Sequence, residues 1–260
     1  MKKFSKGFLL VLLIATVVFG TKVVIEMAIT NRKAALDTNR TQLTKKTDLL
    51  AGYTEASDEE DFQATSYQLP VPLINQLADP QLEYGCEVTA LSMVLQYYHL
   101  DYTKNDLAEK ITKEPYNDKE GVFGDPDIGF VGDMTGKKSG MSVNVKPIVE
   151  LAEKLVPSPY EVVNSTGSSI DDLLDVVQDG NPVWVIVTTD FKTPKQEDFI
   201  DWPTRNGNKK VLPKHHAAVI SGFTETEVIL NDPYGKVQKI ERKQFSDLFE
   251  AMGQQSFYIK

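Results

Sequence analysis

The spacing of the apolar residues changes once along this chain of 260 residues, and that change limits the folds open to it. Before residue 180 apolar positions recur at three- and four-residue steps, as on helices with a buried face. Val88, Leu91, Val94, Leu95 and Tyr98 form one such stripe. Two more helices are predicted over 145–155 and 168–179, the second closed by Gly180. Thr103 and Asp106 make a capping-box start for another over 105–111. Beyond residue 180, Val183-Trp184-Val185-Ile186-Val187 is a short continuous apolar run, as in a strand buried on both faces. Further strands are predicted over 216–223, 228–230, 237–241 and 256–259, with a short helix capped by Ser246. Asn206-Gly207 marks a hairpin turn between Trp202-Pro203-Thr204 and Val211-Leu212. Helices first and strands later predict an α+β fold, an N-terminal helical half packed on a C-terminal antiparallel sheet.

The folded domain is predicted over 66–260, opening with the extended segment Tyr67-Gln68-Leu69-Pro70-Val71-Pro72. Residues 114–142, rich in glycine and aspartate, read as one long irregular loop. Ahead of the domain, residues 30–65 are polar and read as a linker or stalk. At the N-terminus, Lys2, Lys3 and Lys6 precede an apolar run from Phe8 to Phe19 that resumes after Lys22. Residues 1–29 are therefore expected to be a membrane anchor or signal peptide. An anchor would leave the basic end in the cytoplasm and the remainder outside, and a cleaved signal would release the domain. A net charge of −9 argues against nucleic acid as a partner. The single cysteine excludes an intramolecular disulfide and a multi-cysteine zinc site.

That cysteine, Cys86, follows Gly85 at the start of the first predicted helix. Unpaired N–H groups and the helix dipole favour a thiolate there, whereas the neighbouring Glu87 opposes it unless its side chain points away. A thiol nucleophile needs a base, and the chain has three histidines. His99 lies some three turns from the thiol, at the far end of the helix, as a surface or capping residue. His215 and His216 begin a strand, where neighbours point to opposite faces, so at most one can meet Cys86. If that strand and the next form a hairpin near Thr224-Glu225-Thr226, Asp232 comes within one or two residues of facing His216.

In this order and spacing, several stretches resemble one family: Val71-Pro72-Leu73-Ile74-Asn75-Gln76, Gly85-Cys86-Glu87-Val88-Thr89, His216-Ala217-Ala218-Val219-Ile220-Ser221-Gly222 and Asn231-Asp232-Pro233-Tyr234. It is that of the papain-type cysteine peptidases related to the bacteriocin-processing (double-glycine leader) peptidases, in a stand-alone exported branch without a transporter. The resemblance covers roughly residues 69–260 and implies a papain-like fold and a peptide or protein substrate. Its histidine lies six residues before a glycine, which selects His216. It also implies an oxyanion-stabilising glutamine upstream of the cysteine, either Gln76 or the nearer Gln81.

The reading is an extracytoplasmic cysteine peptidase with Cys86 as nucleophile, His216 as base, Asp232 as orienter and Gln76 as oxyanion donor, requiring no cofactor. An acyl transferase or deamidase with the same triad, or an inactive binding module, are the other classes the sequence allows. Transport-linked processing is not expected, because no Gly-rich phosphate-loop motif occurs. Asp125, Asp127 and Asp133 raise a calcium site against a solvated loop, without EF-hand spacing. Phe123 and Phe130 could line a substrate groove, whereas Trp184, Tyr97 and Tyr98 read as core. Thr89 and Ser92 sit inside the helix with no base assigned.

Overall fold

A computed structural model describes residues 66–260. The anchor or signal expected over 1–29 and the linker over 30–65 lie outside the described residues. Among the described residues, no helix is long and apolar enough to cross a membrane.

In chain order the elements are β1 (Ser66–Gln68), α1 (Cys86–Tyr97), α2 (Lys104–Lys110), β2 (Lys113–Glu114), β3 (Phe130–Val131), α3 (Val145–Leu155), β4 (Val162–Asn164) and α4 (Ile170–Gln178). There follow β5 (Val183–Thr188), β6 (Ile200–Thr204), β7 (Gly207–Val211), β8 (His215–Thr224), β9 (Glu227–Asp232), β10 (Lys236–Glu241), α5 (Arg242–Ala251) and β11 (Ser256–Ile259). This is the expected α+β arrangement. Seven strands form an antiparallel sheet in the order β10-β9-β8-β5-β11-β4, with β1 continuing along β8. The sheet draws β1 and β4 from the helical half, β4 at one edge and β1 against β8, so the two halves interleave.

Helix α1 packs against β8 and β5 and also meets α2 and α3. The apolar stripe predicts one buried face, yet every residue from Cys86 to Leu95 is buried. A helix in the middle of a domain is covered all round, so its polar side chains must find partners inside. Thr89 Oγ1 donates to the Gly85 carbonyl (2.7 Å) and Ser92 Oγ to that of Tyr102 (2.7 Å). Both hydroxyls are thereby spent on backbone. Gly85 is required for room rather than for flexibility: a Cβ there would lie 2.4 Å from Leu82 Cβ. His99, exposed and with φ +60°, lies just past the end of the helix, as expected.

Strand β5 is buried throughout, and Trp184 is wholly enclosed. Its register sets Val187 opposite His216 and Thr188 opposite His215. The β8–β9 hairpin turns after Thr224 as predicted, with an extra residue at Ser221. The expected capping box of Thr103 with Asp106 forms, and Ser169 with Asp172 makes a second one.

Three local expectations are corrected. Thr204 pairs with Gly207, so the β6–β7 turn residues are Arg205-Asn206, and Gly207 opens β7 with φ +114°. Helix α5 starts before Ser246 and is capped by Glu241, whose carboxylate accepts the Lys243 and Gln244 N–H groups. Phe130 is part of the main core rather than a groove wall. Phe123 instead stacks on Trp202 with ring centroids 3.9 Å apart, fixing part of the long loop to the β6–β7 hairpin.

Candidate active site

Cys86 is 6% exposed, and its Sγ donates a hydrogen bond to Glu87 Oε2 at 3.2 Å. Burial pushes the thiol well above its usual ionisation range, and the charge and hydrogen bond of Glu87 push the same way. The Ala217 and Glu87 backbone N–H groups act in the opposite sense and are outweighed. Burial and Glu87 thus act against the helix terminus and favour the neutral thiol. Glu87 points at the sulfur, which was the condition for that outcome.

Glu87 is fully buried. Its Oε1 accepts the Val143 N–H (3.1 Å) and lies 3.3 Å from His215 Nδ1, without the alignment of a hydrogen bond. Its backbone carbonyl accepts the Trp184 indole N–H at 3.0 Å, so α1 is pinned to β5 beside the cysteine.

His216, one residue along β8, is 1% exposed, and its Nε2 lies 2.9 Å from Asp232 Oδ1. Extending the β8–β9 register from Val219 opposite Asn231 sets Ala218 opposite Asp232. His216 and Asp232 thus share one face, a diagonal step apart. Tyr234 stacks on the imidazole with centroids 4.9 Å apart and planes 16° apart. Burial raises the Asp232 carboxyl, but the His216 ring, the Tyr234 N–H (2.9 Å) and the Gln238 amide (3.1 Å) outweigh it and hold the group below its usual range. With Nε2 on the carboxylate, Nδ1 is the ring nitrogen left for another partner. Sγ itself lies against the N–H of Ala217, the residue after His216.

Gln76 and Gln81 part company. Gln81 is exposed and bonds Glu83 Oε2 at 2.7 Å. Gln76 is 1% exposed, and its Nε2 donates to the carbonyls of Leu82 (3.2 Å) and Glu83 (2.9 Å), just ahead of α1. Its backbone N–H donates to Pro233 at 2.7 Å, joining this segment to the turn after Asp232. Its Oε1 is buried without a partner.

Asp125 and Asp127 both meet Lys209 Nζ, at 3.5 and 2.5 Å. Asp133 closes its own turn by accepting from Thr135 and Lys138. Among the described residues, no three metal-ligating side chains converge. The acids of this loop are turn and ion-pair residues.

Sequence reasoning gave no role to Tyr234 and did not foresee the contact between His215 and Glu87. Tyr234 could have been found, since it lies two residues beyond Asp232 and so projects to the same face. The His215 contact had no comparable signal, because it joins a helix to a strand more than a hundred residues away.

A thiol opens a central helix, and a buried imidazole–carboxylate pair joins two neighbouring strands, one of which packs against that helix. Residues 68–257 match the Peptidase_C39 like family, and the chain belongs to that family. It is 38% identical over 206 residues to the uncharacterized protein YvpB of Bacillus subtilis (strain 168), a match covering 79% of this chain and 80% of YvpB. The crystal structure of a candidate C39-like peptidase from Bacillus anthracis superposes with a TM-score of 0.70 at 35% identity, covering 75% of this chain and 97% of the other.

Proposed function

We propose that this protein is a cysteine peptidase that hydrolyses peptide bonds through Cys86, His216 and Asp232. The observation that carries the reading is the buried His216–Asp232 pair at 2.9 Å, whose strand β8 packs against the helix that Cys86 opens. Family membership supports a peptide or protein substrate.

In the proposed reaction Sγ leaves Glu87 and passes its proton to His216 Nδ1 as it attacks the substrate carbonyl carbon. Asp232 holds the ring through Nε2 and stabilises the imidazolium that forms. The oxyanion is met by the Cys86 backbone N–H and the Gln76 amide, which must first release one of its two carbonyls. Collapse transfers the proton from His216 to the leaving amine. A water deprotonated by His216 then hydrolyses the thioester and restores the thiol.

The apolar run over 8–29 behind three lysines supports action outside the cytoplasm, on a tether or after export. Incubating the purified protein and Cys86→Ala with a peptide library, and sequencing new amino termini, tests the activity. Cleavage by the native protein alone is expected. No cleavage by either, with equal binding of a partner by both, would make the protein a binding module.

A further inference from the structure

The polar groups around Cys86 form two networks, and peptide hydrolysis as proposed needs only one. The unused one runs from Sγ to Glu87 and on to His215. A fully buried carboxylate touching the sulfur is not needed to build the helix, and by charge alone it opposes the thiolate that catalysis requires.

His215 is 92% buried by side chain, since 8% of it is exposed, yet neither ring nitrogen has a hydrogen bond. The side chain lines a cavity of ≈ 300 Å³, shared with Asp127, Asn144, Lys209, Leu212 and Met252. Buried polar atoms nearly always find partners, so an imidazole without one, set between a carboxylate and a cavity, is unusual. The other cations near the cavity are engaged: Lys209 with Asp125 and Asp127, and Lys210 with Asp201. Val143 and Trp184 bring only N–H donors to Glu87, and Tyr234 brings a phenol to the neighbourhood of the sulfur. His215 is therefore the one side chain among the described residues that, when protonated, can form an ion pair with the Glu87 carboxylate.

We infer that Glu87 sets the reactivity of Cys86 by holding the resting sulfur as a neutral thiol, and that His215 tunes Glu87 from the side of the cavity. Glu87 touches the reacting atom, and His215 is a positioning residue that acts through it. A protonated His215 offsets the Glu87 charge and eases ionisation of the thiol. A neutral His215 leaves that charge in full beside the sulfur. The catalytic consequence rests on Cys86 being the nucleophile, whereas the ionisation is measurable without turnover.

The test is the rate of alkylation by iodoacetamide against pH, on the full-length chain, where the single cysteine takes all the label. The native midpoint is expected above about 8.5, the reference value for a thiol. Glu87→Gln keeps an acceptor for the Val143 N–H and should lower the midpoint by about one pH unit or more, tenfold in thiolate fraction. His215→Gln should slow alkylation at the acid end of the profile, where an imidazole carries its proton, and should have no effect in the Glu87→Gln background. An unchanged or raised midpoint in Glu87→Gln, or a His215→Gln effect of equal size in both backgrounds, overturns the inference. If Glu87→Gln does not fold, a His215→Gln profile that matches the native one at every pH overturns it instead. The expected shifts without cleavage by any variant would leave this inference standing and remove the peptidase.

Discussion

His215 and His216 are neighbours on one strand and do opposite things. The two-residue period of a strand sends their rings to opposite faces. His216 meets a carboxylate on the next strand at 2.9 Å, is stacked on Tyr234 and is closed off from solvent. His215 meets a carboxylate on the helix at 3.3 Å, has no hydrogen bond and borders a cavity. One imidazole is fixed in orientation by a hydrogen bond, as a base must be, and the other has none. Cys86 bonds Glu87, the carboxylate that His215 meets, and its sulfur is close to Ala217, the residue after His216.

That contrast is broken most severely by removing the fixed histidine. His216→Ala is expected to reduce peptide cleavage by about 10⁴-fold or more, the scale for losing a member of a catalytic triad. His215→Gln should cost about tenfold or less, with the deficit shrinking as the pH rises, and rate–pH profiles of both variants check this. Asp232→Asn should lower kcat by about 10²–10⁴-fold by misorienting the ring.

Asp232 also predicts a pH dependence of stability. Its carboxyl is held below its usual range in the fold, so the stabilisation is present above the unfolded value of about 3.9 and is lost as the pH falls through the lower folded value. Thermal melts should show the native protein's advantage over Asp232→Asn at pH 7 and its disappearance in strong acid.

The two glutamines give a smaller contrast of the same kind. Gln76→Ala should reduce kcat by about 10²–10³-fold, the usual effect of losing an oxyanion donor, while Gln81→Ala leaves it unchanged. Smallest is the effect of Thr103→Ala or Ser169→Ala, which removes a helix cap far from the thiol. Each should lower stability in denaturant by about 1 kcal/mol without affecting cleavage.

The parts of the molecule governed by local rules were legible in the sequence. The start of α1 at Cys86, the Thr103–Asp106 capping box, the run of α3 over Val145–Leu155 and the buried β5 follow from spacing and cap chemistry. The closeness of His216 and Asp232 was legible too, because a hairpin makes a sixteen-residue separation local. What escaped depends on contacts between distant segments. Nothing in the sequence around Glu87 tells whether its side chain faces the sulfur, since that is decided by Val143 and His215, 56 and 128 residues onward. Enclosure of α1 on every side was hidden for the same reason: its polar positions suggest an outer face until Tyr102 and Gly85 supply their partners. The Asn206-Gly207 turn slipped by one residue because Gly207 takes its positive φ as the first residue of β7.

The most direct measurement is mass spectrometry of the protein acid-quenched shortly after mixing with a peptide library at neutral pH. A peptide acyl group carried on Cys86, released by hydroxylamine and absent from His216→Ala, is the predicted result. An unmodified Cys86 at every time point, with the peptides left whole, would contradict a nucleophilic role for the thiol.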